Sequence, residues 1–409
     1  MLSIIGRTLI LSSALCVSDF GKFIICLNFF AFIKVFLKPG ITHTLFNYIP
    51  QFEASGEERN KVASVCWLCI YVAMAISLPL SFFGVAFSKL IAIKIYGDAS
   101  LAGPLCALAA SSILFLVNDV ASSLLRLKDK IVTSIFPATL ASLCVFLIFC
   151  YCPVVVSRFD YAVYAVAVSE LLISISLLAA LWHYASDYLV CSKDVFFLKP
   201  IRSKMEGIKS TLKQTSIFGL LHGSSEAASA FLIGVFSSAK EVAYIGMAIQ
   251  LARPVQFLHA NVASVVVPRV SKLYGQRNLL SVLKILKMNF MSAMILFVLG
   301  GGAVFLFGDF LINQFLSPEY LQVLPVFYIL LAAHILSLAT VGFVPLSVAS
   351  KQVDKRNYAV ALRFLYLGVA VAIGLNAYSA AIVQLLAAIS VRFLIDLPMY
   401  RKIKLEMGK

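Results

Sequence analysis

Charge is scarce in this sequence, and what there is leans one way. Only 13% of the 409 residues are charged, with 34 Lys and Arg against 19 Asp and Glu. A soluble domain carries about a quarter. There are two tryptophans and five histidines, and no cysteine follows Cys191. The nine cysteines fall mostly inside apolar runs, where they serve as small hydrophobes. No pair of them has zinc spacing with histidines nearby, so no metal centre is expected. The chain also lacks a Gly-rich phosphate loop ending in Lys and Ser or Thr, which excludes that kind of ATPase site. Its external loops are short. A glycosyltransferase or polymerase would show a large one with clustered acids or arginines. Neither an enzyme nor a cofactor is expected.

What is abundant is apolar sequence, 61% of the residues. It comes in runs of about 20 residues, the length that crosses a hydrocarbon core. The runs from Ile131 to Cys152 and from Met288 to Leu306 hold no charge at all. In lipid such a run satisfies its backbone only as a helix. The pattern predicts an all-α integral membrane protein of about 12 spans. They lie near 1–17, 23–48, 62–88, 102–125, 131–152, 161–183, 214–236, 243–266, 288–306, 321–347, 357–376 and 379–399.

Alternate connections between these spans collect most of the basic residues. One set holds Arg59 and Lys61, the Arg126–Lys130 turn, and six Lys or Arg between Lys193 and Lys213. It continues with Arg269 to Lys287, Lys351 to Arg356, and Arg401 to Lys409. The opposite set holds Lys22, Lys89, Lys94, Arg158 and Lys240. The positive-inside rule then puts both termini and the 184–213 connection in the cytoplasm. The net charge of +15 is therefore an orientation signal. No single face carries it, which excludes a nucleic-acid footprint. The long basic connection could also touch anionic lipid headgroups. Leu11 to Cys16 looks faintly like a lipoprotein signal, but Leu15 is too bulky for that cleavage and Arg7 interrupts the apolar stretch. It reads as a short first span.

The longest polar connection divides the chain into six spans on each side. The expected domains are an N-terminal six-helix lobe over 1–183, a basic cytoplasmic connection over 184–213, and a C-terminal six-helix lobe over 214–409. The halves repeat one another. Leu90-Ile91, Gly97-Asp98 and Pro104-Leu105 align with Leu311-Ile312, Pro318-Glu319 and Pro325-Val326 at a constant offset of 221 residues. Both spans end in an Asp-Lys turn, Asp129-Lys130 and Asp354-Lys355. The second and eighth spans each follow an acidic turn, Ser18 to Gly21 and Lys240 to Ala243, and each closes on proline, Pro50 and Pro268. Both halves begin in the cytoplasm, so the repeat is parallel. Transporters built this way hold their site near the midplane between the halves.

The stretch Phe236 to Pro254, continuing through Val267-Pro268-Arg269 to Gly275, resembles the eighth span of Wzx-type polysaccharide flippases. These belong to the multidrug/oligosaccharidyl-lipid/polysaccharide exporter superfamily. Leu15 to Gly21, Phe46 to Phe52, and Phe307-Gly308 to Tyr320 fit the same pattern. The resemblance implies a flippase that carries an undecaprenyl-diphosphate-linked oligosaccharide, an O-antigen or related repeat unit, across the bacterial inner membrane. It also implies membrane lipids as partners, and polysaccharide polymerase and ligase machinery alongside.

Ionisable groups inside spans are functional candidates. On the eighth span Gln250, Arg253, Phe257 and Asn261 share one stripe, and on the seventh Thr215, Gly219, His222 and Glu226 share another. The two stripes are expected to face one cavity. Arg253 offers a planar fork to diphosphate oxygens. The competing reading pairs it with Glu226 to hold the helices together, and both stand. Lys34 is a second cationic cavity candidate, just before the Pro39-Gly40 break, while Lys38 would snorkel towards the cytoplasm. Arg363 is a third. Arg392 and Asp396, one turn apart, read as a local ion pair. Glu226, His222, Asp119 and Glu170 are candidates for ion coupling, since burial raises a carboxyl pKa and histidine titrates near neutrality. For Asp119 and Glu170 a bond to a neighbouring helix is the preferred reading, and for His222 a packing role. His259 and His334 read as structural. Three other functions stay open: a cation-coupled drug exporter on the same fold, a lipid II flippase, and a non-transporting member of a glycan assembly complex.

Overall fold

A computed structural model of the chain describes residues 2–36, 41–54, 59–189, 193–209, 231–343 and 353–407, with 212, 228, 229 and 346. Among the described residues the structure is helical and holds no strand. The longer helices are α1 (Leu2–Ala14), α2 (Val17–Phe36), α3 (Ile41–Ala54), α4 (Arg59–Ala86), α5 (Ala102–Leu127), α6 (Ile131–Tyr151) and α7 (Phe159–Ala185). They continue as α8 (Ala239–Gly275), α9 (Leu279–Leu296), α10 (Gly302–Phe315), α11 (Val323–Ala339), α12 (Val353–Ile373), α13 (Ala377–Val391) and α14 (Leu397–Met407). Among the described residues, seven helical stretches are long and apolar enough to cross a membrane. Their outward faces carry large apolar side chains such as Val132, Phe136, Val298, Phe305 and Leu306. The protein is a multi-pass membrane protein. Most of the expected span 214–236 and the Pro39-Gly40 break fall outside the described residues.

Two helices run well past the apolar stretches that mark them. α8 has 37 residues, about 55 Å of helix against a hydrocarbon core of about 30 Å. It continues through Pro268, where the expected span closed. The helix that begins at Leu279 carries Lys284 and Lys287 in its first turns. Charge marks where the chain leaves lipid, and the backbone stays helical beyond that point.

The chain forms two compact units, Lys22–Phe231 in one and Met1–Gly21 with Leu232–Lys409 in the other. In the unit Lys22–Phe231, α5 is central and packs against α7, α4 and α3. Small residues let the helices approach, as is usual without a hydrophobic drive between them. A β-carbon on Gly84 would come within 2.7 Å of the Ala109 Cβ, and the Ser81 hydroxyl donates to the Ala109 carbonyl at 2.6 Å. Leu45, Ile49 and Phe52 of α3, Cys66 and Cys69 of α4, Leu124 of α5 and Leu181 of α7 fill one buried cluster. α6 packs on α7 and leaves its other side bare.

In the second unit α8 runs along α11, α11 along α13, and α13 along α12. The short α1 rests on α8. Gly21 lies directly against the Ala239 carbonyl, where any β-carbon would collide with it. The expected acidic turns prove to be helix starts. The Asp19 amide donates to the Cys16 sulfur at 3.4 Å and the Glu241 amide to the Ser238 hydroxyl at 3.3 Å. Each acid is thus the third residue of its helix, where the amide dipoles favour negative charge. The Glu241 carboxylate accepts from the Ala377 amide at 2.8 Å and so ties α8 to the start of α13. Asn289 donates to the carbonyls of Leu338 and Ala339, at 2.8 and 3.0 Å, and so satisfies the end of α11.

The repeat has a structural counterpart inside each unit. A 3-10 turn precedes α5, which starts at Ala102, and another precedes α11, which starts at Val323, at the offset of 221 seen in the sequence. Beside each turn an acid meets a lysine: Lys22 with Asp98 at 2.9 Å, and Lys240 with Glu319 at 3.8 Å.

Candidate functional site

A polar cluster among the membrane helices of the unit Lys22–Phe231 is built by α2, α5 and α7. Each contributes polar groups to an otherwise apolar interior. Lys34, near the end of α2, reaches the Glu170 carboxylate of α7 at 2.8 Å. Its ammonium also lies over two rings, 4.1 Å from the centre of Phe30 and 4.2 Å from that of Phe115. Such distances are well inside the range in which a ring face attracts a cation. Asn118 of α5 donates to the other carboxylate oxygen at 3.4 Å. Asn118 is 7% exposed, and its carbonyl oxygen has no hydrogen-bond partner among the described residues. The next residue of α5, Asp119, accepts from Thr42 of α3 at 3.0 Å. Ser123 lies 3.2 Å from the same hydroxyl.

The candidate residues thus fall into distinct groups. Lys34 and Glu170, singled out for different roles, are bonded to each other. Glu170 is not a lone acid, and Asp119 bonds Thr42 of a neighbouring helix. In the other unit Gln250 is buried, and its carbonyl oxygen has no hydrogen-bond partner among the described residues. Arg253 is half-buried on the same helix, and no described acid pairs with it. Arg363 is buried on α12 at 9% exposure. Glu226 and His222 lie outside the described residues, as does the side chain of Asn261. Arg392 and Asp396 pair at 2.6 Å. His334 contacts Gln256 at 3.0 Å, so it is held within the fold. Phe30, Phe115, Asn118 and Thr42 were missed by sequence reasoning. Asn118 beside Asp119 in an apolar run was the available signal; the rings gave none.

A cavity of about 330 Å³ opens in the second unit, lined by Leu286, Phe290, Leu336 and Phe343 with Lys287 and Arg392 at its polar edge. Arg392 is fully engaged there, by Asp396 and by the Leu336 carbonyl at 3.1 Å. At the turn before α5 Asp98 is partly buried, which raises a carboxyl pKa. Bonds from Ser100 and Lys22 more than offset that and hold it below its ordinary value. No group of three His, Cys, Asp or Glu among the described residues could hold a metal ion.

Cations and acids are thus placed among membrane helices, and comparison with known proteins supplies the family. The profile of the family described as polysaccharide biosynthesis protein matches residues 10–325. The chain belongs to that family. In structure it is similar to an inward-facing multidrug resistance MATE family transporter of the MOP superfamily. The TM-score is 0.78 at 16% identity, covering all of this chain and 95% of the other. It is also similar to the lipid II flippase MurJ in an inward closed conformation, with a TM-score of 0.71 at 14% identity over 98% of this chain and 88% of the other. A MOP superfamily transporter from Pyrococcus furiosus matches at a TM-score of 0.61 and 15% identity, over 98% and 92%. These likenesses define the fold as that of MOP superfamily transporters. No curated protein matches the chain by sequence.

Proposed function

We propose that the protein is a flippase for a lipid-linked oligosaccharide. Its cargo is an undecaprenyl-diphosphate-linked repeat unit of O-antigen or a related surface polysaccharide. The protein moves it from the inner to the outer leaflet of the bacterial inner membrane by alternating access of two six-helix lobes, with both termini cytoplasmic. One observation carries this reading: a polysaccharide biosynthesis family is represented here by a chain with a transporter fold. The physical problem fits. Glycan hydroxyls and a diphosphate cannot enter hydrocarbon unpaired, while the lipid tail never has to leave it. The groups that would meet the headgroup are Arg253, Gln250 and Asn261 on α8, with Lys34 and Arg363. A guanidinium matches phosphate oxygens with two parallel hydrogen bonds. Glu170, Asp119, Glu226 and His222 remain the groups through which ion exchange would be coupled. Deleting the gene should trap lipid-linked repeat units on the inner leaflet. Unchanged outer-leaflet units, in a host without a second flippase, would remove the proposal.

The likeness to a multidrug transporter supports a second reading, export of organic cations. Such a pump needs acids that are open to its cargo. Glu170 already holds Lys34 at 2.8 Å, which counts against it. Altered drug susceptibility on expression, with normal surface glycan in the null strain, would reverse the ranking.

A further inference from the structure

The surroundings of Lys34 have the chemistry of a cation-binding site. Two ring faces stand 4.1 and 4.2 Å from the ammonium, and a carboxylate stands 2.8 Å from it. The carboxamide oxygen of Asn118 is close by on α5, buried and without a hydrogen-bond partner among the described residues. Aromatic faces with a carboxylate are what recognise a small organic ammonium ion. Three of these four groups come from α5 and α7, which pack closely along their lengths; only Phe30 shares a helix with the lysine. The walls therefore do not depend on the Lys34 side chain for their position. We propose that this is an ammonium site whose occupant is the chain's own Lys34, and that removing the lysine opens it to small alkylammonium ions.

The occupant explains two things at once. A carboxylate among membrane helices is costly without a partner, and Lys34 supplies a partner that cannot diffuse away. It also closes the site to cations from solution. Lys34 would then determine specificity, setting what this unit refuses. Lys34 and Glu170 are shared with the proposed function, but the test below reads cation binding and not transport, so either reading can fail without the other.

The test uses the purified full chain in detergent. n-Propylammonium reproduces Lys34 from Cγ to Nζ, the atoms that Lys34→Ala removes. Thermal unfolding of wild type, Lys34→Ala and Lys34→Ala/Glu170→Gln is followed against n-propylammonium chloride, with sodium chloride at equal ionic strength as the reference. Lys34→Ala should show a saturable rise of about 2 °C at ten times the dissociation constant. Wild type should show none, because its site is filled, and the double variant none, because its anion is gone. A Lys34→Ala protein that ignores n-propylammonium overturns the proposal, and so does a wild type that responds equally. Should Lys34→Ala fail to fold, it is expressed and purified with n-propylammonium present. Recovery of monodisperse protein there, and not in sodium, supports the site; no recovery overturns it.

Discussion

Replacing Glu170 by Leu while Lys34 remains should cost far more than replacing both residues. The pair is largely buried, with side-chain exposures of 24% for Lys34 and 13% for Glu170. Removing one partner of a buried pair costs about 3–5 kcal/mol, because the other charge stays behind uncompensated. The residual exposure lowers this to about 2–3 kcal/mol. Lys34→Met alone strands Glu170 with only the long contact from Asn118 at 3.4 Å. It also forfeits the attraction of the two rings, about 0.5–2 kcal/mol. Lys34→Met/Glu170→Leu fills the same volume with apolar atoms, and such swaps are often close to neutral. The double variant should therefore be less destabilised than the sum of the singles by at least about 2 kcal/mol. Equilibrium unfolding in detergent micelles measures all four proteins. Additivity within about 0.5 kcal/mol would show that the two side chains are not coupled and would refute the reasoning.

Other consequences can be measured the same way. Asn289→Leu leaves the carbonyls of Leu338 and Ala339 without their donor, and should lower unfolding stability by about 1–3 kcal/mol. Gly21→Val should prevent α2 from seating against the Ala239 carbonyl, read as loss of monodisperse protein on size exclusion. Asp98 has its pKa below the ordinary 3.8. Its charge therefore adds stability that is fully present above that value and fades as pH falls through the lower folded value. The gap in unfolding midpoint between wild type and Asp98→Asn should be constant at pH 5–6 and shrink below about pH 4.

Much of the fold was legible because lipid imposes a simple rule on sequence. Apolar runs must be helices, and the offset of 221 placed the starts of α5 and α11 in the same register. Helix ends were less legible. The segment Ser18 to Gly21 reads as a turn by composition, yet the helix begins at Val17, because the Cys16 sulfur accepts the Asp19 amide. Pro268 reads as a stop, yet α8 continues to Gly275. The pairing of Lys34 with Glu170 was hidden, since 136 residues separate them and only the fold brings the two side chains together. Charge inside a span flagged both residues; nothing in the sequence said that each was the other's partner.

The central proposal is movement of a lipid-linked glycan, and transport in reconstituted vesicles tests it most directly. Purified protein would be placed in liposomes with an undecaprenyl-diphosphate-linked oligosaccharide whose leaflet is read by a glycan-cleaving enzyme added outside. The account predicts protein-dependent equilibration of the glycan between leaflets, sharply reduced by Arg253→Ala. Cleavage that stops at the outer-leaflet fraction, as in protein-free vesicles, would contradict it. Full activity of Arg253→Ala would remove that arginine from the mechanism.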